Sequence, residues 1–228
     1  MAFLRSLKKN NDREWFTPRK STFEAAVRQP MIELVSAIHR EMLRFAPDYV
    51  GEPAKCVYRI YRDTRFSKDK TPYKTYASAL FLRNGFSKYT GGAAYYFAVS
   101  PENIEIAGGL YTPDRDVLLA VRQHIADNHK QFRATFGAQR VKKLLGELQG
   151  DSLARVPKGF DPEHPAADLI RRKQYLLDTQ LDPKLATTPK LLGELVTRIE
   201  AMTPFVEFLN RPLTGRQTKK KREEAFLR

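Results

Sequence analysis

Polar and apolar positions alternate with a helical period at both ends of the chain and with a period of two in its middle. Asn11 followed by Glu14, and Ser21 followed by Glu24, match capping-box spacing, with Trp15, Phe16 and Phe23 as apolar anchors. Beyond Pro30, which suits a first helical turn, Met31, Leu34, Val35, Ile38, Met42 and Phe45 recur every three or four residues and predict one buried helical face ending near Pro47. The pattern then shortens. Cys56 to Tyr61, Ala77 to Leu82, Ala93 to Val99 and Ile104 to Ala107 are rich in β-formers and bounded by turn chemistry: Asn84-Gly85 and Gly91-Gly92 in one connection, Pro101-Glu102-Asn103 in the next. The last three of these strands are close enough in sequence for an antiparallel meander.

Thr112-Pro113-Asp114 predicts a helix start, continued by Leu118, Val121 and Ile125. A second helix carries Phe132 and Phe136, and a third Val141, Leu144, Leu145 and Leu148. Residues 150–190 hold five prolines and are expected to wrap the surface around one short helix near 166–177. Thr188-Pro189 opens a last helix with Leu192, Leu195, Ile199 and Met202 on one face. The expected class is α+β, an antiparallel sheet of about four strands within residues 56–109, flanked by N-terminal and C-terminal helices.

Length and composition fit a globular protein. The chain has 228 residues, 42% of them hydrophobic, enough for one domain with its own core. The single cysteine, Cys56, excludes an intrachain disulfide framework and fits a reducing compartment. No apolar run approaches the roughly twenty residues of a membrane span, and the first residues lack a signal-peptide pattern, so a cytoplasmic location away from membranes is expected. The net charge is +14. Seven Lys or Arg against two Glu lie in residues 211–228, a net of +5, leaving +9 on residues 1–210. The expected division is a single domain over 1–210 and a flexible basic tail over 211–228 that adds non-specific attraction for polyanions.

The densest chemistry lies between Lys55 and Lys74, where seven Lys or Arg face only Asp63 and Asp69. Such crowding is costly unless the charges pair with each other or with a visiting anion. A strand continued to about Arg65 puts Arg59, Tyr61, Asp63 and Arg65 on one face, with Asp63 accepting from two guanidinium groups that keep spare donors for a phosphate or carboxylate. Lys70 and Tyr73 close such a pocket from beyond a turn at Ser67–Asp69. The expected ligand-binding set is therefore Arg59, Arg62, Asp63, Arg65, Lys70 and Tyr73.

Elsewhere the chemistry is sparser. Gly108-Gly109 reads as a tight turn in preference to an anion cradle. Cys56 reads as a half-buried strand residue without a His and acid to activate it. His39, His124, His129 and His164 show no metal-ligand pattern, so neither metal nor cofactor is expected; His164 reads as a surface histidine. Trp15 and Phe16 are assigned to packing. So, mostly, are Tyr95, Tyr96 and Phe97, although strand aromatics of this kind can stack nucleic-acid bases.

The run Arg59-x-x-Arg62-Asp63-x-Arg65-Phe66-x-x-Asp69-Lys70-x-x-Tyr73 resembles the signature of the bacterial family labelled domain of unknown function 2461. The opening Phe3-Leu4 with Asn10-Asn11-Asp12-Arg13-Glu14-Trp15-Phe16, Gly108-Gly109-Leu110-Tyr111 and the Pro165 to Lys173 segment are similar to it as well. The resemblance spans nearly the whole chain. It implies a stand-alone bacterial protein and brings no activity with it.

Three functions fit the residues. One is a binding module whose motif cradles a phosphate-bearing or other anionic partner such as nucleic acid or a nucleotide. No helix-turn-helix, zinc-finger or RNA-recognition signature supports sequence-specific reading. Another is an enzyme acting on a phosphorylated or anionic small molecule, with Asp63, Asp69 and Tyr73 as weak catalytic candidates. A carboxylate flanked by arginines makes a poor general base near neutrality. The third is a purely structural Arg–Asp network. A concave, ligand-sized pocket favours a small ligand, and a broad basic face favours a polymer.

Overall fold

The amphipathic segments towards the two ends of the chain fold as helices and the chain also forms a four-stranded antiparallel sheet, an α+β fold. The computed structural model describes residues 1–86 and 91–226, side chains from 215 onward excepted. Helix α1 spans Ala2–Lys9 and buries Leu4 and Leu7. Helix α2 spans Gln29–Met42 with Pro30 in its first turn and buries Met31, Val35, Ile38 and Met42, as the helical period requires. Between them the chain breaks at residues 10–12 and is helical again from Arg13 onward. The cap of its first turn (Arg13–Phe16) is Asp12 in place of the expected Asn11: its carboxylate accepts from the Trp15 N–H at 2.7 Å. No side chain caps the turn that follows at Lys20–Phe23, because it continues from the preceding helical residues; Glu24–Arg28 forms a π-helical turn running into α2.

The sheet consists of β1 (Ala77–Leu82), β2 (Ala94–Val99), β3 (Ile104–Leu110) and β4 (Tyr175–Leu181), antiparallel and in sequence order. The meander β1–β2–β3 matches the alternation read from the sequence. Its fourth member does not. Cys56–Tyr61 forms no strand: Pro53–Cys56 is a helical turn, and beyond it Val57 and Tyr61 make only single bridges, to Ala79 and Tyr73. The prolines of 150–190 conceal β4, which begins just after a short helix at Ala167–Ile170. No proline falls inside β4 itself, so its backbone donors stay available to the ladder.

After β3 come α3 (Arg115–Asp127), α4 (His129–Gly137) and α5 (Gln139–Leu145). Within the expected Thr112-Pro113-Asp114 start the cap of α3 is Asp114, whose carboxylate accepts from the Val117 N–H at 2.8 Å. Helix α6 runs over Lys190–Phe226 with Pro204 and Pro212 inside it. The side chains of the Lys219–Arg222 run lie outside the described ones. Among the described residues no helix is long and apolar enough to cross a membrane.

By contacts the chain divides into two units, residues 1–81 with 96–106 and 180–197, and residues 82–95 with 107–179 and 198–228. In the first, Leu4, Leu7, Phe16, Phe23, Val27, Ile60 and Tyr73 form one buried cluster, edged by Phe3, Trp15 and Ala77. In the second, Phe132 packs on Phe205, Phe208 and Tyr175. Here Gly108 and Gly109 lie inside β3, correcting the expectation of a turn. A Cβ on Gly108 would meet the Met202 sulfur at 2.1 Å, and one on Gly109, where φ is +130°, would meet the Tyr175 carbonyl oxygen at 2.1 Å. They are small because a helix and a neighbouring strand come too close for a side chain. The buried Asn210 amide closes a second close contact, accepting from the Ala93 N–H and donating to the Ala93 carbonyl, both at 2.8 Å.

Two stability outcomes follow. Gly109→Ala, blocked by backbone and by its φ, is expected to cost about 3 kcal/mol or more. Gly108→Ala, opposed chiefly by a flexible methionine, costs about 1–2 kcal/mol. Urea denaturation of both variants checks the order, and equal losses would refute it. Asn210→Ala strands a buried N–H and carbonyl and is expected to cost about 2–4 kcal/mol in the same assay.

Candidate anion-binding cleft

The basic segment is anchored at its two ends and projects between them. Its first anchor is the pair of bridges and backbone bonds that tie Tyr58 to Ser78, Arg62 to Pro72 and Lys74 to Ile60, at 2.8–2.9 Å. These leave residues 63–71 as a loop. The second anchor is Asn11, whose amide donates to the Tyr73 carbonyl at 2.9 Å and accepts from the Tyr73 N–H at 3.1 Å. An asparagine used this way substitutes for a neighbouring strand. Below it the Tyr73 ring stacks on Phe16, centroids 4.1 Å apart.

Between the anchors opens a cleft of about 500 Å³, lined by Asn11, Arg62, Asp63, Asp69, Thr71, Tyr73, Lys74, Thr75 and Tyr76. The central residue is Arg62, whose side chain is 26% exposed. Among the described residues Nη1 alone makes the guanidinium's hydrogen bonds: to Asp69 Oδ2 at 2.5 Å, to the Thr71 carbonyl at 3.2 Å and to Thr71 Oγ1. Asp69 is held in turn by the Thr71 N–H at 2.9 Å. The guanidinium is thereby fixed in direction while Nε and Nη2 keep their donors. Lys74 Nζ lies 4.7 Å from the Tyr58 ring centroid and 5.9 Å from that of Tyr76.

The electrostatics differ from the sequence expectation in one respect. Asp63 does not sit between two arginine forks. It accepts from Arg65 Nε at 3.0 Å and Nη2 at 2.7 Å, while Arg59 acts on it only at longer range. A three-residue β-alternation cannot bring Arg59 to Asp63 because no strand forms there. The Arg65 fork holds the Asp63 carboxyl down at about 2, and the Thr71 N–H with Arg62 holds Asp69 there too. Both carboxylates are ionised acceptors near neutrality, so neither has the proton affinity of a general base.

Of the expected site residues, the cleft gathers Arg62, Asp63 and Tyr73, together with the weak catalytic candidate Asp69. Arg59, Arg65 and Lys70 lie outside its lining. Arg65 is spent on Asp63, and Lys70 donates to the Thr64 carbonyl at 2.9 Å. Tyr73 is buried and stacks on Phe16, although it also lines the cleft. The residues the pattern did not single out are Asn11, Thr71, Lys74, Thr75 and Tyr76. For Asn11 the available signal was two successive asparagines before Asp12, only one position of which can cap a helix.

The other chemical groups pack. Cys56 Sγ lies 3.8 Å from His39 Nε2, a neighbour distant in sequence. Burial pushes His39 below its ordinary pKa, which keeps it neutral beside the thiol. His164 Nδ1 accepts from the Ala166 N–H at 3.0 Å, and its ring meets His129 at 5.7 Å. Among the described residues no three His, Cys, Asp or Glu side chains are grouped to hold a metal.

The sign of the carboxylate shifts sets an acid limit. Folded pKa values near 2, below the ordinary 3.8, make the two pins stabilising above about pH 4 and lose them as pH falls towards 2. Amide exchange of residues 63–71 is expected to accelerate over that interval while the cores stay protected. Exchange unchanged down to pH 2 would contradict the pins.

No curated protein and no solved structure matches the chain. One family does: its model, described as conserved hypothetical protein (DUF2461), matches residues 1–208, which bears out the resemblance of the Arg59–Tyr73 signature. The chain belongs to that family.

Proposed function

We propose that the cleft binds a phosphate-bearing or other anionic ligand, with Arg62 and Lys74 as its cations and Thr71, Thr75 and Tyr76 supplying hydroxyl groups. The observation that carries this is the one-sided pinning of Arg62. A guanidinium held through Nη1 by Asp69 and Thr71 presents Nε and Nη2 as a fixed pair, the geometry that suits bidentate contact with an oxyanion. Pre-orientation lowers the conformational entropy lost on binding. The cleft, at about 500 Å³, has room for a single phosphorylated group with its immediate substituents.

The purely structural reading has its own support, because the same Nη1 bonds brace the loop. The two separate in one experiment. Inorganic phosphate, sugar phosphates and nucleotides are expected to raise the melting temperature of the wild-type chain, more at low salt than at high. Arg62→Ala and Lys74→Met are each expected to weaken the tightest of these ligands by about ten- to a hundredfold in calorimetric titration. An Arg62→Ala chain that melts lower but binds equally well returns the motif to bracing alone. With sulfate as probe, whose charge is constant across the interval, affinity is expected to be flat from pH 5 to 8, because Asp63 and Asp69 titrate near 2.

A further inference from the structure

Phe66 extends the anion-binding reading. The turn Thr64–Ser67, closed by the Ser67 N–H donating to the Thr64 carbonyl at 3.3 Å, carries Arg65 and Phe66 at its two central positions. The Phe66 ring is 95% exposed. The Arg65 guanidinium, fixed by Asp63, lies 5.8 Å from the ring centroid. A phenylalanine left this far in water forgoes the transfer free energy of burial, and it stands on a loop whose two ends, Asp63 and Asp69, line the cleft. The charge around it is one-sided. Both loop acids are taken by arginines, so Arg59, Lys68 and Lys70 leave the turn with a surplus of cations.

An exposed aromatic ring with one arginine near its face, on a cation-rich loop beside a phosphate-sized cleft, complements one chemistry closely: an unpaired base next to a phosphodiester. Duplex DNA fits poorly, because its bases are stacked on each other and offer Phe66 no open face. An anionic membrane fits poorly too. The turn offers a single apolar side chain among Thr64, Ser67 and Lys68, where interfacial anchoring needs a wide apolar area. We infer that the ligand is a segment of single-stranded nucleic acid, with one base stacked on Phe66, phosphates met by Arg59, Lys68 and Lys70, and one phosphate seated in the cleft at Arg62 and Lys74. This rests on the cleft being an anion site.

The test is fluorescence anisotropy with end-labelled oligo(dT) of about ten nucleotides, a length within the usual site size of single-strand binders. An abasic strand of equal length, a blunt duplex and anionic phosphatidylserine vesicles are compared with it. Wild type is expected to prefer oligo(dT) over the abasic strand and the duplex. Phe66→Ala is expected to lose about tenfold on oligo(dT), to bind the abasic strand unchanged, and to keep the same salt dependence because no phosphate contact is removed. Phe66→Trp should retain affinity, with its added emission quenched on binding. Equal binding of oligo(dT) and the abasic strand, or of oligo(dT) by wild type and Phe66→Ala, overturns the inference, as does Phe66-dependent binding of vesicles without binding of oligo(dT). If inorganic phosphate still stabilises wild type but not Arg62→Ala, the cleft reading survives that failure. If phosphate, nucleotides and oligonucleotides all fail, both fall together.

Discussion

Burial of Tyr73 against Phe16 is the interaction on which the cleft depends. The loop at 63–71 belongs to no sheet; the Arg62–Pro72 and Lys74–Ile60 backbone bonds tie its two ends to each other but leave open where that pair sits against the N-terminal helices. Stacking at 4.1 Å inside the cluster of Leu4, Leu7, Phe23, Val27 and Ile60 supplies that fixed point, and the Asn11 amide adds two directed bonds to the same residue. The apolar term gives the anchor its strength; the amide gives it register. Lys74, Thr75 and Tyr76 follow Tyr73 in sequence and line the cleft together with Arg62, whose backbone N–H donates to the Pro72 carbonyl.

The charged residues work in a hierarchy that their number alone hides. Asp63 and Asp69 do not neutralise a shared pool of cations; each takes one arginine, at opposite ends of the loop. These pairs are solvent-exposed and contribute little to global stability. Their effect is geometric. Arg65 is tied to Asp63 beside Phe66, and Arg62 is pinned to Asp69 and Thr71 at the cleft. On the anion-binding proposal the same bonds that brace the loop also orient Arg62, so bracing and binding are compatible uses of one set of atoms.

The glycines of β3 and the amide of Asn210 show the same logic in the second unit. Gly108 and Gly109 have the composition of a turn, yet they sit where Met202 and the Tyr175 carbonyl approach too closely for any Cβ. Asn210 on a long helix does for Ala93 what Asn11 does for Tyr73. Both asparagines satisfy an N–H and a carbonyl of backbone that has left the regular ladder, a need that arises only after the elements have packed.

Periodicity alone determined the α+β class, α2 and the meander β1–β2–β3, because alternation and helical spacing are local properties of the chain. Charge density located the loop for a similar reason, since like charges adjacent in sequence are adjacent in space. What only tertiary structure decided was which neighbours arrive from far away. Tyr175–Leu181 became the fourth strand although prolines surround it, and Cys56–Tyr61 remained outside the sheet despite its β-forming residues. Arg59 and Lys70 fell outside the cleft, while Asn11 and Lys74 entered it. Local sequence sets which conformations are cheap, whereas long-range packing chooses among them by burying Tyr73 and Phe16 together, and no window shorter than the 58 residues that span those two positions contains that choice.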